Sequence, residues 1–237
     1  MIAAFGWGLL AGSALLLGAL IGWYVNPSRK ITAAVMAFGS GVLMSAIAFD
    51  LMDEAAESGG LLATSTGFLL GATFFTAGAM LLSRTQLRGG KEGAAAAAIA
   101  LGATFDGIPE AIVIGLSVVQ GAGVSLPIVI AIFLSNVPEG MSSATGLKAA
   151  GYSRAATFGL WAGIALMCAS ASLIGYTLFD GAAPEYAAIA QGVAAGAMLA
   201  MIADTMIPEA FDEQHDAAGL ITALGFLVAF LLSHGLA

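Results

Sequence analysis

Two stretches of the chain set carboxylates within apolar sequence. LGATFDGIPEAIVIGL carries Asp106 and Glu110, and AIFLSNVPEGMSSATGL carries Ser135, Asn136 and Glu139. Asp106 and Glu110 are four residues apart, which on a helix puts both on one face, and Ser135 and Glu139 repeat that spacing. A proline precedes each glutamate. Pro109 offers no N–H to the Phe105 carbonyl and Pro138 none to that of Leu134, so each helix is expected to be broken there. Two carboxylate faces and two loosened carbonyl turns would make an oxygen-rich cage. No Lys or Arg lies in the surrounding apolar runs. The carboxylates therefore have no protein cation to pair with, and must hold either protons or a mobile cation.

The elements that position these residues are long and apolar. Of 237 residues 59% are hydrophobic and only 9% charged, against about 25% charged in a soluble domain. The mean hydropathy is +0.97. A membrane span needs about 20 mostly apolar residues, and eight stretches qualify: Ile2–Val25, Ile31–Asp53, Leu61–Ser83, Ala94–Val119, Val124–Leu147, Ala155–Phe179, Tyr186–Pro208 and Ala217–Leu236. They are too long for strands and do not alternate polar with apolar. The expected fold is all-α, with eight membrane helices in one domain over residues 1–237. The first stretch reads as a span, because it lacks a basic leader region and its apolar run exceeds that of a cleaved signal. Cys168 excludes an internal disulfide and reads as a small core residue. The net charge of −8 and the absence of a basic patch argue against nucleic acid. The lipid bilayer is the expected surrounding.

Basic residues fall in alternate connections. Arg29 and Lys30 lie between spans 1 and 2, Arg84, Arg88 and Lys91 between 3 and 4, and Lys148 and Arg154 between 5 and 6. The rule that such loops stay cytoplasmic puts both termini outside the cytoplasm, in a cell membrane.

A longer pattern repeats. GVLMSAIAFDLMDEA (Gly41–Ala55) aligns without gaps to GAMLAMIADTMIPEA (Gly196–Ala210). Spans 2 and 7 thus read as copies, each the middle helix of a group of three, spans 1–3 and 6–8. Alternating topology runs the two groups in opposite directions around spans 4 and 5. That 3+2+3 inverted repeat is an arrangement common in transporters. It places Asp50, Asp53 and Glu54 toward one membrane face, Asp204, Glu209 and His215 toward the other, and Asp106, Glu110 and Glu139 between.

On these motifs the chain resembles the ZIP (Zrt-/Irt-like) family of divalent-metal transporters, over nearly its whole length. The family's hallmark is a pair of x-x-x-Pro-Glu-[Ala/Gly] motifs on spans 4 and 5. Here they read Asp106-Gly107-Ile108-Pro109-Glu110-Ala111 and Ser135-Asn136-Val137-Pro138-Glu139-Gly140. The resemblance implies a metal site of Asp106, Glu110, Ser135 and Glu139. It puts Gly107 and Asn136 where some members hold a second metal, and it makes Asp50-Leu51-Met52-Asp53-Glu54 similar to the stretch that admits the ion. A homodimer is a further implication. The chain departs from the family in lacking the span-4 histidine, and span 6 has no acid to complete a second site, so a single bound ion is expected. An all-oxygen site suits harder ions, so Mn or Fe(II) joins Zn and Cd as expected cargo. No prosthetic group and no enzymatic activity are expected. The same acids could instead serve a proton- or sodium-coupled exchanger of monovalent cations.

Overall fold

A computed structural model of the chain describes residues 1–86, 94–119 and 124–236, with the side chains of all of these except 82–86, 94–100 and 236. The described residues are helical throughout, apart from short turns, and contain no strand. Eight helices are long and apolar enough to cross a membrane: Ile2–Val25, Arg29–Gly59, Leu61–Leu81, Leu101–Val119, Leu126–Ala149, Arg154–Phe179, Pro184–Gln214 and Ala218–Gly235, numbered here as spans 1 to 8. The protein is a multi-pass membrane protein of helices. Lipid offers no partner for backbone N–H and C=O groups, and helices satisfy theirs internally. Spans 2 and 7 outrun the expected stretches because their acidic ends continue the helix beyond the apolar run. Arg88 and Lys91, in the longest polar connection, lie outside the described residues.

Local signals set the ends. Ser28 and Ser153 accept hydrogen bonds from the N–H groups of Ile31 and Ala156, capping spans 2 and 6. Pro127 and Pro184 sit in the first turns of spans 5 and 7, where no N–H partner is lost. Gly60 alone joins spans 2 and 3, at a φ of +86° that favours glycine.

The prolines at 109 and 138 do not break their helices: Ala94–Val119 and Leu126–Ala149 run through them as single α-helices. Irregularity falls elsewhere. Ile21–Val25, Ala46–Met52 and Ile202–Met206 are π-helical. The last two lie at corresponding places in the gap-free match of spans 2 and 7.

The most extensive contacts sort the helices into two groups, spans 1, 4, 5 and 6 and spans 2, 3, 7 and 8. This grouping cuts across the chain-order triplets. Within each group glycines bring backbones together. A Cβ at Gly41 would overlap the Thr222 carbonyl of span 8, and one at its counterpart Gly196 would overlap the Phe68 carbonyl of span 3. Between groups the approach is looser: a Cβ at Gly39 would stand 3.3 Å from the Leu134 carbonyl and Ser135 Cα. Spans 3 and 8 lie outermost, with Leu62, Leu69, Leu220 and Leu231 exposed as lipid-facing side chains would be.

Candidate functional site

Asp106 on span 4 and Glu139 on span 5 bring their carboxyl groups within hydrogen-bonding reach of one another. Two bare carboxylates repel at that distance, so the contact holds only with a proton or a cation between them. Both line a cavity of about 340 Å³, together with Ser135, Ser142 and Ser143, a space that admits several water molecules. The Ser135 hydroxyl donates to the Ile132 carbonyl at 3.0 Å, which leaves its oxygen free to accept or to ligate.

Glu110 is placed differently. It is 2% exposed, does not line this cavity, and its Oε2 has no hydrogen-bond partner. It lies close enough to Glu139 and to the Cys168 thiol of span 6 to interact electrostatically with both. Cys168 donates to the Gly107 carbonyl at 3.8 Å, and a Cβ at Gly107 would come 2.9 Å from its sulfur. Asn136 turns toward span 1, where its amide donates to the Ala11 carbonyl at 3.3 Å.

A second cavity of about 380 Å³ reaches Arg29, Asp212 and Glu213 at the end of the bundle that also carries Lys148 and Arg154. It shares Met36, Ser142 and Glu209 with the first. The two together form a route from the carboxyl pair to that basic end. Glu209 stands at the joint, where it accepts a hydrogen bond from Ser142 at 2.5 Å across the seam between the helix groups. Toward the opposite end, among the described residues, lies a separate small cavity beside Asp50 and Leu134, which shares no lining residue with the first and has only about 10 Å³, room for about one water at most.

The remaining expected residues lie apart from the pair. Asp50 is half-buried toward the opposite end and accepts from Ser233 at 2.5 Å, with Glu54 half-buried and Asp53 exposed beyond it. Asp204 is exposed and lines neither cavity on the open route, and Thr205 takes that place instead. Four residues back from Glu209, the α-helical step, is Thr205 and not Asp204, so spacing alone could have found it. His215 is exposed, with Nδ1 2.5 Å from the Phe211 carbonyl, and is in neither cavity. Met36, Trp161, Met201 and Met206 line the first cavity without having been singled out, since apolar residues in apolar runs carry no sequence signal.

Among the described residues, no three His, Cys, Asp or Glu side chains converge closely enough to enclose a metal ion. The arrangement is a two-carboxylate pair flanked by hydroxyls and open to water on one side. It can hold a cation with water as the remaining ligands, or share a proton. Comparison with protein-family models gives no match, and neither does comparison with curated proteins.

Proposed function

We infer that the chain is a transporter that moves a divalent metal ion across a membrane by way of the Asp106–Glu139 pair. One observation carries this reading: two carboxyl groups meet deep in a bundle of membrane helices, with no Lys or Arg beside them among the described residues, at the head of a route that leads to the basic end. Buried acids of this kind mark ion paths. A site reached from one end at a time is what alternating access requires.

The repeat supports the same reading. Spans 2 and 7 match without gaps, carry π turns at matching places, and use matching glycines to pack on spans 8 and 3. An inverted repeat in 3+2+3 chain order accounts for all three. The repeat pairs Asp50 with Thr205 and Glu54 with Glu209. Thr205 and Glu209 line the open route here, so Asp50 and Glu54 would line its counterpart in the other state. The helix groups suggest how the exchange occurs. The seam is less tightly packed than either group, so spans 1, 4, 5 and 6 would shift as one body against spans 2, 3, 7 and 8.

With the basic end cytoplasmic, this conformation faces inward. The ion would be attracted at Asp50, Asp53 and Glu54, lose water at Asp106 and Glu139, and leave past Glu209. A negative-inside potential favours import of a divalent ion by about 4.6 kcal/mol per 100 mV. Membership of the ZIP family is part of this proposal, with Zn, Mn, Fe(II) or Cd as cargo. The test is uptake into proteoliposomes of Zn, Mn, Fe(II), Cd and Mg by the wild type and by Glu139→Ala. Saturable uptake of a divalent ion, lost in the variant, supports the reading, and undiminished flux in the variant refutes the site.

The carboxyl contact favours a second reading, because a proton bridges such a pair as well as a metal does. Robust proton- or sodium-driven exchange without any divalent ion would establish it.

A further inference from the structure

Span 7 contributes two methionines to the cavity of the carboxyl pair, Met201 and Met206, and Met36 of span 2 lines it too. On an α-helix residues five apart point about 140° away from each other, so Met201 and Met206 could not both face one cavity. The π turn Ile202–Met206 changes this. Its hydrogen bonds span five residues, as in the bond from the Ile207 N–H to the Ile202 carbonyl, and the wider turn brings residues five apart nearer to one face. The turn thus brings both methionines to the wall that also carries Thr205 and Glu209. Both methionines are nearly fully buried, at 4% and 5% exposure.

The matched π turn of span 2 sets a comparison within the same chain. Its residues at the places of Met201 and Met206 are Ala46 and Leu51. The π geometry is common to the two copies, whereas at these two places sulfur is on one copy only, that of span 7.

We propose that Met201 and Met206 are specificity-determining residues that supply thioether ligands beside the Asp106–Glu139 pair, so that the cargo is a soft or borderline divalent ion in preference to a hard one. This rests on the transport reading above and narrows it. The carboxylates and serine hydroxyls alone would suit Mn or Mg, and oxygen ligands do not discriminate in favour of soft ions. A thioether adds affinity for a polarisable ion and nothing for Mg, which keeps its waters. A filter of this kind needs no closed cage. The ion keeps part of its water and exchanges the rest for sulfur as it passes, and a weak ligand lets it leave.

The experiment is competitive uptake of Cd and Mn into proteoliposomes by the wild type, by Met201→Leu/Met206→Leu, and by Met198→Leu. Leucine keeps volume and apolarity, so only sulfur is lost. Met198 is buried on the same span but does not line this cavity. The expected result is a Cd-to-Mn uptake ratio that falls about tenfold in the double variant, equivalent to about 1.4 kcal/mol, with Mn uptake retained and the Met198 variant unchanged. Uptake of both ions at the wild-type ratio by the double variant overturns the proposal while leaving transport standing. Uptake of neither ion by the wild type overturns the transport reading and this one with it. X-ray absorption at the cadmium edge on loaded wild-type protein needs no variant: sulfur among the ligands supports the assignment, and oxygen alone refutes it.

Discussion

Glutamine at position 139 separates binding from folding. Glu139→Gln keeps the side-chain shape, and its amide supplies the N–H that two facing carboxylates lack, so Asp106 gains a donor. Metal-free protein should therefore unfold at the same temperature as the wild type or higher. Binding should suffer. A carboxylate oxygen about 2.2 Å from a divalent ion contributes about 4 kcal/mol even at the dielectric of bulk water, the conservative choice for a cavity of this size. The amide oxygen remains a ligand and recovers part, which leaves a loss of about 100-fold in affinity, or about 2.7 kcal/mol. The assay is thermal unfolding in detergent with and without the metal that wild type prefers. A concentration of about 100 times the wild-type Kd stabilises the wild type by about 2.7 kcal/mol, and the variant, at about its own Kd, by only about 0.4 kcal/mol. Undiminished metal stabilisation of the variant would refute the carboxyl pair as the binding site. A clearly lower unfolding temperature without metal would show that Glu139 serves the fold instead.

Further outcomes test other parts of the description. With Cys168 replaced by serine, a cysteine at Ser142 should react with a water-soluble thiol reagent and one at Ala46 should not, because the open cavity reaches Ser142 whereas Ala46 is buried beside a separate cavity of only about 10 Å³; equal labelling would contradict access from one end. Thr205→Val should raise the KM for uptake several-fold while Asp204→Asn leaves it unchanged, as only Thr205 lines the open route; the reverse would favour the sequence assignment. Gly196→Ala should cost about 1–3 kcal/mol through overlap with the Phe68 carbonyl, whereas Gly102→Ala, with open space around it, should cost nothing in thermal unfolding. Ser142→Ala removes a hydrogen bond to a carboxylate across the seam, normally a contribution of about 1.5–3 kcal/mol, and should change the rate of uptake more than the affinity for the ion.

The eight spans were legible because lipid imposes a length and an apolarity that nothing else in the sequence imitates. Asp106 and Glu139 were legible for the opposite reason, as carboxylates stand out in apolar surroundings. Their neighbours were not. Whether Ile202–Met206 winds as α or π depends on packing against other helices, and the same residues suit either. That choice decides whether Met206 joins Met201 on one face. The prolines misled in the other direction: missing a hydrogen bond at Phe105 and Leu134 is expected to break a helix, and here both helices run through. Glu110 and Asn136 share motifs with the pair but face away from the cavity, because residues on one helix divide between its neighbours in ways that only packing settles. The grouping of spans 1, 4, 5 and 6 was hidden for a similar reason: chain order is not spatial order.

Spans 2 and 7 are each 31 residues long, about 46 Å if wholly α-helical, while the hydrocarbon layer of a bilayer is about 30 Å thick. The surplus has to project or be absorbed as tilt. Projection carries Glu57 at one end, and Asp212 and Glu213 at the other, into the headgroup zone, where a charge costs little. Asp106, Glu110 and Glu139, near the middle of spans 4 and 5, stay in the hydrocarbon. Spans 3 and 8, at 21 and 18 residues, have no such surplus. A thinner bilayer would therefore press the long pair toward greater tilt, and since spans 2 and 7 are packed closely on spans 8 and 3 the four would turn together, so lipid thickness acts as a mechanical load on the helix group that faces the carboxyl pair.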